Sequence, residues 1–194
     1  MFEVLSTIFG LIQGLLVMLN KRSNWIFYSL QMLFLVLFSI NLHLWGDVAI
    51  DSIYFLVGVV GFFFWKKGNR ADTISVYGWK ARIIWGVVSL SSIVVCWVVL
   101  NRTDNPLPFL DSITSVTSVV ATWFMFCHKL EAWVVWFIND LFYIVEYFML
   151  PDSAMYLIGL YIIWTVFAVV SFVNWKRLYR RNNFVSSQAV KLWQ

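Results

Sequence analysis

Residues 53–67 read IYFLVGVVGFFFWKK, and residues 163–177 read IWTVFAVVSFVNWKR. Laid over one another, they put Tyr54 on Trp164 and Trp65 on Trp175, with a basic pair closing each. A second match precedes each stretch. LNKRSNWIFYSLQ (19–31) lies over FCHKLEAWVVWFIN (126–139), so that Lys21 falls on Lys129 and Trp25 on Trp133. Apolar helices resemble one another by chance, but chance does not place tryptophans and lysines in matched register.

Outward from these stretches, seven apolar runs span residues 4–19, 24–42, 48–65, 83–100, 109–127, 132–150 and 154–173. Most approach the ~20 residues that a helix needs to cross hydrocarbon. None alternates with the two-residue period of a barrel strand. The repeat therefore comprises two three-helix units, with the run 83–100 between them. Two units can start on the same side only if an odd number of crossings separates them. The expected fold is all-α and integral to the membrane, with seven transmembrane helices in a 3+1+3 parallel repeat. The expected boundaries are 1–65 for the first bundle, 66–104 for the loop and inverter helix, 105–175 for the second bundle and 176–194 for a tail.

Composition agrees. The 194 residues are 61% hydrophobic and only 12% charged, half the charge of a soluble domain, which is about 25%. With the N-terminus outside, Lys21, Arg22, Lys66, Lys67, Arg70, Lys80, Arg82, Lys129, Lys176, Arg177, Arg180, Arg181 and Lys191 all fall on the cytoplasmic side, and only Arg102 outside. That is the positive-inside bias, and a count wrong by one span would scatter it. The net charge of +4 is thus topological, and nucleic acid is not expected as a partner. Cys96 and Cys127 lie in apolar runs without CxxC spacing, and His43 and His128 stand far apart, so neither a disulfide nor a metal site is expected. No nucleotide-binding glycine loop, HExxH or GxSxG occurs, and neither an enzyme nor a cofactor is expected.

Acids inside a membrane segment cost about 2.5–3.5 kcal/mol on insertion scales and face a cavity or a partner. Asp51, Asp111, Asp140 and Glu146 are such residues. Asp51 and Asp111 lie near the outer interface, where water alone would explain them. Trp133, Trp136, Asp140, Tyr143 and Tyr147 recur at 3-4-3-4 spacing on one stripe, with Asn139 and Glu146 beside it. Aromatic faces with an acid suit a flat cationic ring, through stacking and cation–π attraction. The competing readings are an interfacial aromatic belt and an interhelical hydrogen bond. Trp25, Tyr28, Gln31 and Leu35 form a weaker counterpart stripe, Trp45 and Tyr54 offer further walls, and the hydroxyls of residues 112–118 line the fifth run.

These motifs resemble the PnuC family of vitamin transporters. The resemblance rests on the WxxW of Trp133 and Trp136 with a polar residue four further on, PFLDS at 108–112, GFFFW at 61–65 and KRSNW at 21–25. It runs from the first helix to Lys176. It implies a SWEET-like pair of bundles in a bacterial inner membrane, with substrate bound between them. It also implies facilitated diffusion, a cytosolic kinase that traps the vitamin, and a homotrimer. Trp133 and Trp136 become stacking faces and Asp140 a counter-ion. Asn139, Gln31 and Asp51 become polar readers, and Tyr28, Tyr143 and Trp164 complete the set.

The family's nicotinamide riboside carriers read WxxWxxxN, and here Asp140 holds the last place. An ionised carboxylate only accepts hydrogen bonds. That exchange favours thiamine, whose aminopyrimidine donates, as the expected substrate, with nicotinamide riboside the alternative. A non-transporting assembly or receptor subunit is the reading from another class, and proton coupling through Asp140 and Glu146 a third.

The orientation predicts accessibility. In a background lacking Cys96 and Cys127, a cysteine replacing Arg102 is labelled in intact cells by an impermeant maleimide, and one replacing Lys80 only after lysis.

Overall fold

Every apolar run folds into one helix in the computed structural model, which describes residues 1–18, 23–64, 74–150 and 154–192. In chain order these are α1 Phe2–Met18, α2 Asn24–Asn41, α3 Trp45–Phe64, α4 Trp79–Leu100, α5 Pro108–Phe126, α6 Glu131–Met149 and α7 Met155–Leu192. Lys21, Arg22, Trp65, Lys66, Lys67 and Arg70, and with them the Trp65–Trp175 match, lie outside the described residues.

Five of the helices are long and apolar enough to cross a membrane by length and composition alone. α1 is shorter, at 17 residues. α5 is less apolar because Ser112, Thr114, Ser115 and Ser118 sit in it, and all four are buried rather than lipid-facing. α7 runs past the expected end at 173, because no Gly or Pro interrupts residues 174–192 and Lys, Arg, Leu, Gln and Ala favour helix. α4 begins four residues before the expected start, directly after Gly78.

Packing makes the repeat physical. α1 packs on α2, α2 on α3, α3 on α5, α5 on α6, α6 on α7, and α7 back on α1. The six helices close a ring, and α2 and α6 face each other across it. Exchanging the units (α1 with α5, α2 with α6, α3 with α7) carries every one of these contacts onto another. α4 stands outside the ring against α5, through Trp85 on Phe124 and Trp97 on Phe109. Leu100 alone among its residues is buried.

Two carboxylates tie the units together. A helix N-terminus leaves its first N–H groups without intrahelical partners, and a negative side chain there satisfies both bond and dipole. The Gly46 N–H of α3 donates to Asp111 Oδ2 of α5 at 2.8 Å, and the Asp47 N–H is directed at the same carboxylate. The Tyr156 and Leu157 N–H groups of α7 donate to Glu3 Oε1 of α1 at 2.8 and 3.3 Å. The register that lays Trp25 on Trp133 also lays Glu3 on Asp111. The register that lays Tyr54 on Trp164 lays Gly46 and Asp47 on Tyr156 and Leu157. Each unit therefore caps the third helix of the other with an acid from its own first helix. Gly46 permits this approach: a Cβ there would run into the Asp111 carboxylate and come within 2.6 Å of Ser115 Oγ.

At the same end, Asp104 of the α4–α5 connection pairs with His43 and accepts the Trp45 indole N–H at 2.5 Å. That hydrogen bond chiefly holds the Asp104 carboxyl below its ordinary value. At the opposite end, Arg82 pairs with Glu131 at 2.8 Å, and Ser75 bridges to Lys129.

Removing either cap lowers stability. Asp111→Ala and Glu3→Ala should each cost about 0.5–2 kcal/mol, the range for cap removal. Their effects should add, since the caps share no partner. Thermal unfolding in detergent checks both, and Gly46→Ala should be destabilising with an intact Asp111.

Candidate functional site

The ring's centre is aromatic and acidic. Tyr143 of α6 stacks on Tyr161 of α7 with centroids 4.5 Å apart, and Tyr147 stacks on Tyr143 at 5.6 Å. From the first unit, Tyr28 and Tyr54 approach each other at 6.4 Å and join the same packed cluster. Asp51, buried on α3, lies within electrostatic reach of Tyr28, Tyr143 and Tyr161. Asp140, 1% exposed on α6, also lies within electrostatic reach of Tyr161. Trp164 packs against this cluster from α7.

What separates these residues chemically is which of their polar atoms are already engaged. Buried polar groups are normally paired. Asn139 is fully paired: Thr117 donates to its Oδ1 at 2.7 Å and its Nδ2 donates to Ser118 at 3.0 Å. Its amide joins α6 to α5. Asp140 Oδ1 and Gln31 Oε1 are buried acceptors without a partner among the described residues. So are the indole N–H groups of Trp133, Trp136 and Trp164, as donors. Gln31 lies over Gly10 of α1, where a Cβ would come within 2.8 Å of its Nε2.

The residues singled out from the sequence thus divide. Tyr28, Asp51, Tyr143, Trp164 and Asp140 gather about Tyr161, and Gln31 is buried on the inner face of α2. Trp136 is half-buried one turn before Asp140. Trp133 stands apart, edge-on to Trp175 at 5.4 Å and near the Lys129 end. Tyr161 and Asp47 went unremarked in the sequence. Tyr161 is the repeat partner of Asp51, and Asp47 precedes Asp51 by one helical turn, so the repeat and the helical period both pointed to them. Asp47 accepts from Tyr143 at 3.1 Å and from Tyr147 at 3.4 Å.

The centre is closed by its own side chains. The two best-formed hollows, of about 220 and 260 Å³, are apolar and lie on α2 and α3 beside Trp25 and beside Leu33; neither is lined by Trp136 or Asp140.

The family model described as nicotinamide mononucleotide transporter matches residues 1–177. The chain belongs to that family. A curated relative, the nicotinamide riboside transporter PnuC of Neisseria mucosa, is 26% identical over 180 residues, covering 84% of this chain and 67% of the relative. The crystal structure of the vitamin B3 transporter PnuC superposes with a TM-score of 0.74 at 22% identity, over 93% of this chain and 83% of that one. The PnuC resemblance and the seven-helix fold hold, and the chain is a multi-pass membrane transporter. Its relatives are transporters, not enzymes.

The two neighbours Asn139 and Asp140 should behave differently. Asn139→Ala removes two buried hydrogen bonds between α6 and α5 and should lower stability by about 1–3 kcal/mol. Asp140→Asn removes no hydrogen bond to Oδ1 and should change stability less. Thermal unfolding of both variants in one detergent makes the comparison.

Proposed function

We propose that this chain carries nicotinamide riboside across the membrane by facilitated diffusion, binding it at the tyrosine-lined centre between the two units. The observation that carries this reading is the pair of unengaged acceptors, Gln31 Oε1 and Asp140 Oδ1, contributed by α2 and α6 on opposite sides of the ring. Ribose brings three hydroxyl donors and nicotinamide an amide donor. Buried acceptors left bare by the protein are matched by such a ligand. The pyridinium ring is flat and cationic, as the tyrosines, Trp136 and the carboxylates require.

Thiamine, the substrate preferred from the sequence, is set aside. That preference rested on Asp140 standing where the riboside carriers have Asn, and a carboxylate accepts from ribose hydroxyls as readily as from an aminopyrimidine. The charge of Asp140 suits both cations equally. The relative's activity and the family's name both point to nicotinamide compounds. The mononucleotide fits less well than the riboside. Its phosphate would enter beside Asp51 and Asp140, whereas the described Lys and Arg residues lie in connections, in the first turn of α4 and from Lys176 onward in α7.

Because the centre is closed, substrate entry requires the units to part at one end of the ring at a time, a rocking motion over a fixed site. Net uptake without an energy source then needs a chemical trap, and a phosphorylating enzyme on the receiving side provides one.

Calorimetric titration of purified protein should show binding of nicotinamide riboside and no heat with thiamine or the mononucleotide. Trp136→Ala and Asp140→Asn should each weaken riboside binding by about 1–3 kcal/mol, the scale of one stacked base or one charged hydrogen bond. Thiamine heat with a silent riboside titration would reverse the assignment.

A further inference from the structure

The acids of the ring do not all belong to the tyrosine-lined centre. Asp47 near the start of α3, Asp111 near the start of α5 and Glu146 near the end of α6 converge at the His43 end. Each offers an oxygen, and all three oxygens lie within 4.8 Å of one another. All three residues are fully buried, each 0% exposed. Neither ion pair among the described residues involves them. Buried charges persist only when paired or bound to a counter-ion.

Their hydrogen bonds leave the arrangement incomplete. Asp111 takes Gly46 N–H, Asn105 Nδ2 at 2.6 Å and Ser115 Oγ at 3.2 Å. Asp47 takes the two tyrosine hydroxyls. Glu146 Oε2 accepts from Thr114 at 3.0 Å. Glu146 Oε1, equally buried, has no partner among the described residues. A buried carboxylate oxygen without a protein partner, beside two further carboxylates, is a donor that a cation would satisfy.

We propose that Asp47, Asp111 and Glu146 bind one hard cation, sodium or calcium, at the junction of α3, α5 and α6. The donor set is oxygen only, which selects alkali and alkaline-earth ions over zinc or copper. Two oxygens on opposite sides of an ion at about 2.4 Å stand about 4.8 Å apart, within the range for calcium. Magnesium, at about 2.0–2.1 Å, would need a tighter cluster and resists dehydration. Because Asp111 also caps α3, the cation would join the two units at the point where the first unit is held by the second. The sequence alone pointed to no metal, since its reading rested on His and Cys spacing.

The test is thermal unfolding of the purified full-length protein in detergent, in choline chloride at constant ionic strength, with separate titrations of sodium, calcium and magnesium. A saturable rise of several degrees with sodium or calcium, and a smaller one with magnesium, is expected from linkage. Glu146→Gln keeps the shape and removes a charge. It should unfold at a higher temperature than wild type without added cation and should lose the response. Asp47→Asn provides the same comparison should the first variant fail to fold. Flat wild-type titrations, or an undiminished response in Glu146→Gln, overturn the proposal and leave protons as the charge balance. Nicotinamide riboside binding, measured on the same preparation, fails or succeeds independently.

Discussion

The architecture depends on satisfying the N-termini of α3 and α7 with acids from the opposite unit. Asp111 reaches from α5 to cap α3, and Glu3 reaches from α1 to cap α7. Each contact meets N–H groups that a helix start leaves without intrahelical partners, worth about 0.5–2 kcal/mol per cap. The two contacts also make the units interdependent: each third helix begins under a carboxylate of the other unit. The reciprocal capping explains why the ring closes as it does. It places the inward faces of α2 and α6 opposite one another, with the tyrosines of α3, α6 and α7 between them.

From that constraint follows the division of labour among polar residues. Three hydroxyls of α5 turn toward α6, where Thr114 meets Glu146 and Thr117 and Ser118 meet Asn139. Those contacts join helices within one unit. Gln31 and Asp140, facing the ring's interior, each keep an oxygen without a partner among the described residues. The proposed binding groups are those that structural bonding leaves unengaged. Asn139 and Asp140, adjacent in sequence, fall on opposite sides of that line because successive helical residues point about 100° apart.

Much of this was legible beforehand. The matched Trp25–Trp133 and Tyr54–Trp164 positions and the one-sided charge specified seven helices and a parallel repeat. The 3-4 spacing of Trp136, Asp140 and Tyr143 put them on one face, where they are found. The spacing could not tell that Trp133 would turn to Trp175, since both residues lie at the same end of neighbouring helices whose rotation is set by packing. Nor could it tell that Asn139 would be taken by Thr117 and Ser118, a contact between residues of different helices.

By itself the chain's sequence determined the number of helices, their order, their likeness in two units and the face on which each aromatic stands. Those properties are local or periodic, and hydropathy and charge record them directly. Only the tertiary structure decided which acids meet. Glu3 and Asp111 became caps, Asp47, Asp111 and Glu146 became a cluster, and Asp140 Oδ1 was left without a partner among the described residues. Such pairings join residues far apart in the chain, and they depend on helix rotations of a few tens of degrees that no periodicity encodes.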